Sequence, residues 1–115
     1  MLALVVALVA PRVIDGDTLE AGGVRYRVLD VDAPEIHGAK CVDERAAGLA
    51  AKRAVERWVA RAGSITAEGS RLDRYGRTLA RVRIDGEDLG ERLVREGLAR
   101  RWKPPAPRPQ WCART

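Results

Sequence analysis

Residues 24–35 read VRYRVLDVDAPE, and the fold follows from this stretch. From residue 24 to residue 32, β-branched and aromatic residues fall in near alternation, the period of a strand with one face on a core. Pro34 ends it, because proline cannot donate to a strand ladder. Upstream, Ala21-Gly22-Gly23 supplies a tight hairpin loop, which makes residues 18–20 a short preceding strand. Asp15-Gly16-Asp17 marks a bend, with residues 12–14 extended ahead of it.

Downstream, residues 36–42 contain Gly38 and no periodicity, and form a loop. Asp43 stands where a helix cap belongs, Glu44 falls in the first turn, and Gly63 stands at the C-cap. Between them Ala47, Ala51, Ala54, Val55, Trp58 and Ala62 recur at helical spacing, with Arg45, Lys52, Arg53, Glu56, Arg57 and Arg61 on the other face. Trp58 reads as a core anchor of this helix. Residues 64–67 form a short strand, 68–77 a polar loop (EGSRLDRYGR), and 78–84 a half-exposed alternating strand. After the Asp85-Gly86 turn, Asp88 and Glu91 resemble a capping box ahead of Leu89, Leu93 and Val94, and Gly97 closes that helix. Short strands bending at glycine, with two or three helices, predict an α+β, mostly β fold: the five-stranded oligonucleotide-binding (OB) barrel.

The 115 residues allow one domain, and 46% hydrophobic with 32% charged composition excludes a disordered chain. Phe is absent, so Val, Leu, Ile and Ala must build the core. A net charge of +5 suits a polyanionic partner, although the excess of Arg over Lys can also reflect genome composition. Cys41 and Cys112 match no CxxC spacing; an even pair in a small chain points to a disulfide and an oxidising compartment, with two free thiols as the alternative. Residues 1–10, MLALVVALVA, are too short to span a bilayer. They fit first the apolar region of a secretory signal without its usual flanks, then a buried first strand, or a mixture in which the end of the segment pairs into the sheet. Residues 11–103 then form the domain, and 104–115 a Pro-rich tail that stays loose unless Cys112 ties it down.

Three acids lie close together in sequence: Asp17 after a bend, Asp32 at a strand end, and Glu35 past Pro34. Acids at neighbouring strand ends can converge, and hard divalent cations take oxygen ligands. Turns alone also attract acids, and Asp15, Asp30 and Asp85 fit that description. Arg27 separates the first group from them, since an Arg inside an apolar strand needs a carboxylate or a bound anion. Strict alternation places Arg27 and Asp32 on opposite faces. If both serve one site, the strand must bend between them.

The segments VIDGDTLE (13–20), YRVLDVDAPE (26–35), DRYGRTLARV (73–82) and LVREGLAR (93–100), in this order, closely resemble the staphylococcal nuclease (thermonuclease-like) family from about residue 12 to residue 103. The resemblance implies a Ca²⁺-dependent nuclease that cleaves DNA and RNA, preferably single-stranded, by water attack at phosphorus, leaving 3′-phosphates. It implies Ca²⁺ ligation by the side chains of Asp17 and Asp32 and by the backbone carbonyl of Ala33, where the family commonly has Thr. It makes Glu35 the acid that orients or deprotonates the water, and Arg27 and Arg77 the phosphate-binding arginines. Arg74 and Tyr75 stand where they can touch substrate, with Tyr75 equally readable as a structural lid. Trp102 lies near the family's base-stacking aromatics, and Asp15 backs the metal ligands. His37 matches no catalytic position and reads as a solvated loop residue. If Cys112 bonds Cys41, the tail is stapled near the loop after Glu35. The expected protein is a monomer, secreted or periplasmic, with no membrane span and no obligate protein partner. The rivals are a barrel that binds nucleic acid without cutting it, and a secreted structural barrel with its acids merely in turns.

Overall fold

In the computed structural model, which describes residues 4–113, the stretch 24–32 is two strands with a turn between them. β4 (Val24–Val28) stops at Leu29, Asp30 takes the left-handed conformation (φ 66°), and β5 (Val31–Asp32) resumes. Asp tolerates positive φ better than most residues, so the break needs no glycine. It interrupts the alternation, and both Arg27 and Asp32 end up buried.

In chain order the remaining elements are β1 (Val5–Ala7), β2 (Arg12–Asp15), β3 (Thr18–Ala21), α1 (Val42–Arg61), β6 (Ile65–Glu68), β7 (Thr78–Ile84), β8 (Glu87–Asp88), α2 (Leu89–Arg95) and β9 (Arg100–Arg101). The main sheet runs β1-β6-β7-β4-β3-β2 with β8 on β7, and β5 pairs separately with β9. β4 is antiparallel to β3 but parallel to β7, which makes the sheet mixed. The expected closed five-stranded barrel is not among these pairings: the strand path is open from β1 to β2 among the described residues. Among the described residues the fold is α+β with two helices. Of the apolar N-terminal segment, Val5–Ala7 pairs with β6 and Leu8 is buried; residues 1–3 lie outside the described residues. Among the described residues no helix is long and apolar enough to cross a membrane.

The long helix begins earlier than its sequence suggests. Its N-cap is Cys41, not Asp43: Cys41 is extended and its sulfur accepts from the Glu44 N–H at 3.3 Å, leaving Asp43 in the first turn. The disulfide Cys41–Cys112 (Cα–Cα 6.1 Å) fixes that residue. Its C-cap is Ala62, because Gly63 gives its N–H to the Asp85 carboxylate at 2.9 Å. The buried face comprises Glu44, Gly48, Ala51, Ala54 and Val55, while Trp58 packs at the core's edge under the Arg92 guanidinium. In α2, Asp88 caps by accepting from the Glu91 N–H at 3.0 Å. Only half of a capping box forms, since the Glu91 carboxylate turns to Arg101 at 2.5 Å.

Gly48 sets how closely α1 approaches the site. A Cβ there would stand 2.7 Å from the Glu35 carbonyl oxygen and 2.9 Å from that of Pro34. The helix backbone therefore packs directly on the Pro34–Glu35 segment. Gly16 does the same on the other side, where a Cβ would meet those of Ala51 at 2.8 Å and Ala33 at 3.0 Å.

Candidate active site

β4 delivers Arg27 into the interior, 10% exposed, between two carboxylates. Its Nη2 lies 3.4 Å from Asp17 Oδ2 and 3.7 Å from Asp32 Oδ1, and its Nη1 donates to the Val28 carbonyl at 2.7 Å. Asp17 follows the β2–β3 bend, where the register slips between Val13 and Asp15. Its Oδ2 also accepts the Ala33 N–H at 2.8 Å, which ties the bend to the residue after Asp32. Ala33 is thus positioned beside both acids. Asp15 sits behind them, its carboxylate accepting the Asp17 N–H at 3.3 Å. Burial, then the charge on Asp17, pushes its pKa up to about 8.

Glu35 is half-exposed just past Pro34, held from behind by Glu44. The Glu44 carboxylate, buried at the start of α1, accepts the N–H groups of Glu35 at 3.0 Å and Lys40 at 2.9 Å. Burial works to raise the Glu44 carboxyl, but those two donors outweigh it and hold it below the usual range. The loop from Glu35 to Lys40 thus has a rigid anchor. His37 is exposed in this loop.

Among the described residues Arg77 forms no ion pair with Asp17, Asp32 or Glu35. It belongs to a separate turn built on Asp73, whose Oδ1 accepts the N–H groups of Tyr75 and Arg77 at 2.9 Å each. Asp73 Oδ2 takes the Arg77 Nε at 2.7 Å. Gly76 closes the turn at φ 80°. Arg74 donates to the Tyr75 hydroxyl at 2.8 Å, and both Arg74 and Arg77 lie over the Tyr75 ring, which is itself exposed. Tyr75 is therefore no lid on the core. The parallel register, Tyr26 beside Thr78 and Leu79 beside Arg27, brings the end of this turn alongside the strand that carries Arg27.

The tail supplies two site residues that the sequence reading missed. Arg108 Nη2 donates to Asp32 Oδ1 at 2.7 Å and to Glu35 Oε1 at 2.9 Å, and Trp111 Nε1 donates to Asp32 Oδ2 at 3.2 Å. The available signal was a basic residue four positions before Cys112, in a segment stapled near the loop after Glu35. Trp102 turns its indole N–H to the Ala106 carbonyl at 2.7 Å and helps line a shallow 430 Å³ groove with Asp30, Lys103 and Pro107. It braces the tail.

Among the described residues no three His, Cys, Asp or Glu side chains surround one point. Arg27 joins Asp17 to Asp32, and Arg108 joins Asp32 to Glu35. These hard carboxylate oxygens still suit a Ca²⁺-like ion. The guanidinium nitrogen bridging Asp32 and Glu35 shows that the pocket accommodates positive charge there.

The family model described as staphylococcal nuclease homologue matches residues 25–110. The chain is 39% identical over 98 residues to Endonuclease YncB and 38% over 96 residues to SPbeta prophage-derived endonuclease YokF, both of Bacillus subtilis; each match covers 77% of this chain, and 44% and 32% of those proteins. It is also 37% identical over 92 residues to Succinoglycan biosynthesis protein ExoI of Rhizobium meliloti, covering 76% of this chain and 48% of that protein. The chain thus spans less than half the length of each of these relatives. The matched span takes in Arg27, Asp32, Glu35 and Arg77 together with the tail through Arg108, and the chain belongs to the staphylococcal nuclease homologue family.

Proposed function

We propose that this protein is a calcium-dependent nuclease that hydrolyses DNA and RNA, preferably single-stranded, by water attack at phosphorus, leaving 3′-phosphate ends. The observation that carries the reading is the buried Arg27 guanidinium flanked by Asp17 and Asp32, with Glu35 beside Asp32 at the surface. Two relatives named as endonucleases add support. The OB-type barrel is part of the same reading, as is a secreted or periplasmic monomer, favoured by the disulfide.

Asp17, Asp32 and the Ala33 carbonyl would hold the ion, which when bound neutralises phosphate charge and lowers the pKa of a coordinated water. The protein supplies the remainder. A phosphodiester repels a nucleophile until its charge is offset, and the Arg27 fork offers paired donors from a rigid strand. Glu35, half-exposed and anchored through Glu44, can accept a proton from the attacking water. Arg77 can exchange the Asp73 carboxylate for a substrate phosphate as its turn closes.

Cleavage of end-labelled single-stranded DNA with Ca²⁺, against a chelator control, tests the proposal. Calcium-dependent products with 3′-phosphate ends are expected. Retained binding without cleavage identifies the non-cutting barrel instead.

A further inference from the structure

The contact between the tail and the acids has a consequence for how the site fills. Arg108 lies between Pro107 and Pro109, and a single nitrogen of its guanidinium touches both Asp32 and Glu35. Trp111 takes the other Asp32 oxygen, so the tail holds both oxygens of a carboxylate that is only 1% exposed. The tail itself is fastened at several points. Cys112 is bonded to the residue that caps α1, Arg100 donates to the Gln110 carbonyl at 2.6 Å, and the Arg100 guanidinium lies 4.3 Å over the Trp111 ring. Arg108 is therefore presented to the acids by a tethered segment and not by a freely moving end.

We infer that Arg108 is a tethered counter-cation that a divalent ion must displace to reach Asp32, so the tail sets the concentration at which the site loads. This rests on the cation reading of the site proposed above. Arg108 Nη2 already holds Asp32 Oδ1 at 2.7 Å, well inside the 3.7 Å approach of Arg27, so an ion that takes that oxygen meets an occupied lone pair and a like charge. Displacement leaves the disulfide intact. The Arg108 side chain is 48% exposed, and a rotation into solvent frees the carboxylates at moderate cost while residue 112 stays fixed.

Calorimetric titration of Ca²⁺ into the full chain tests the inference without relying on activity. Arg108→Gln is expected to tighten Ca²⁺ binding about tenfold, the scale of one lost charge-assisted contact at a half-exposed side chain. Arg108→Ala should repeat this, Arg108→Lys should stay near the parent, and Asp32→Asn should bind weakly or not at all. Circular dichroism from the tail tryptophan checks that the stapled segment is retained. Unchanged or weaker binding in both Arg108→Gln and Arg108→Ala overturns the inference and leaves the cation reading standing. No Ca²⁺ binding by the parent or by any Arg108 variant overturns both.

Discussion

Replacing Gly48 with alanine separates general helix energetics from the local demands of this site. In an ordinary helix interior, Gly→Ala stabilises by roughly 1 kcal/mol. Here the added methyl would lie 2.7 Å from the Glu35 carbonyl oxygen and 2.9 Å from that of Pro34. Both neighbours are backbone, so no rotamer change relieves the contact. Either α1 or the Pro34–Glu35 segment must retreat by about 0.7 Å to reach ordinary contact. Overpacking of this kind costs about 1–3 kcal/mol, more than the helix gain, so the net change is a loss of about 1 kcal/mol. Catalysis should suffer more than stability, because a shift approaching 1 Å in a reacting group can cost about a hundredfold. Gly48→Ala is expected to lower Tm by about 4 °C and kcat at least tenfold, read by urea or thermal melts alongside a nuclease assay. A variant more stable than the parent and fully active would refute the packing described for α1.

Arg27→Lys keeps the buried charge but removes the planar fork, and kcat should fall by roughly 10²–10³-fold with the fold retained; parent-like turnover would show that Arg27 does not bear on the phosphate. Replacing both cysteines with alanine opens a loop of 71 residues, a loss of about 4 kcal/mol and about 15 °C in Tm; a shift of only a degree or two would mean the tail is held without the bond. Burial works to raise the Asp73 carboxyl, but the N–H and guanidinium donors of Arg77 and the Tyr75 N–H outweigh it and hold it below the usual carboxylate range. A lowered carboxylate contributes stability above its unfolded pKa and loses it as pH falls through the folded value. The Tyr75 and Arg77 amide resonances should therefore keep their shifts at pH 5 and move only below about 4; movement between pH 5 and 6 would contradict the Asp73-centred turn.

Much of the site could be read in the chain before any coordinates. Asp17, Asp32 and Glu35 lie at strand ends and bends, and Arg27 stands out as a charge in an apolar strand. Alternation alone set Arg27 against Asp32, because the break at Leu29-Asp30 carries neither Gly nor Pro and depends on Asp30 accepting φ 66°. The Cys41 cap escaped notice for a similar reason: the residue is a poor cap by propensity and is placed there by a bond to a residue 71 positions away. The family resemblance assigns Arg77 to phosphate, whereas its pairing with Asp73, four residues earlier, is a local contact within DRYGR. Arg108 had no local signal. Its place follows only from combining the staple with the charge near it, which is long-range information.

Glu35 is proposed to activate water for attack at phosphorus beside Asp32. Single-turnover cleavage of a labelled single-stranded oligonucleotide by the parent and Glu35→Gln, at saturating Ca²⁺, measures this most directly. The rate is expected to be lower by about 10²–10⁴-fold in Glu35→Gln, with Ca²⁺ binding and Tm little changed. Equal rates in the two proteins would contradict it.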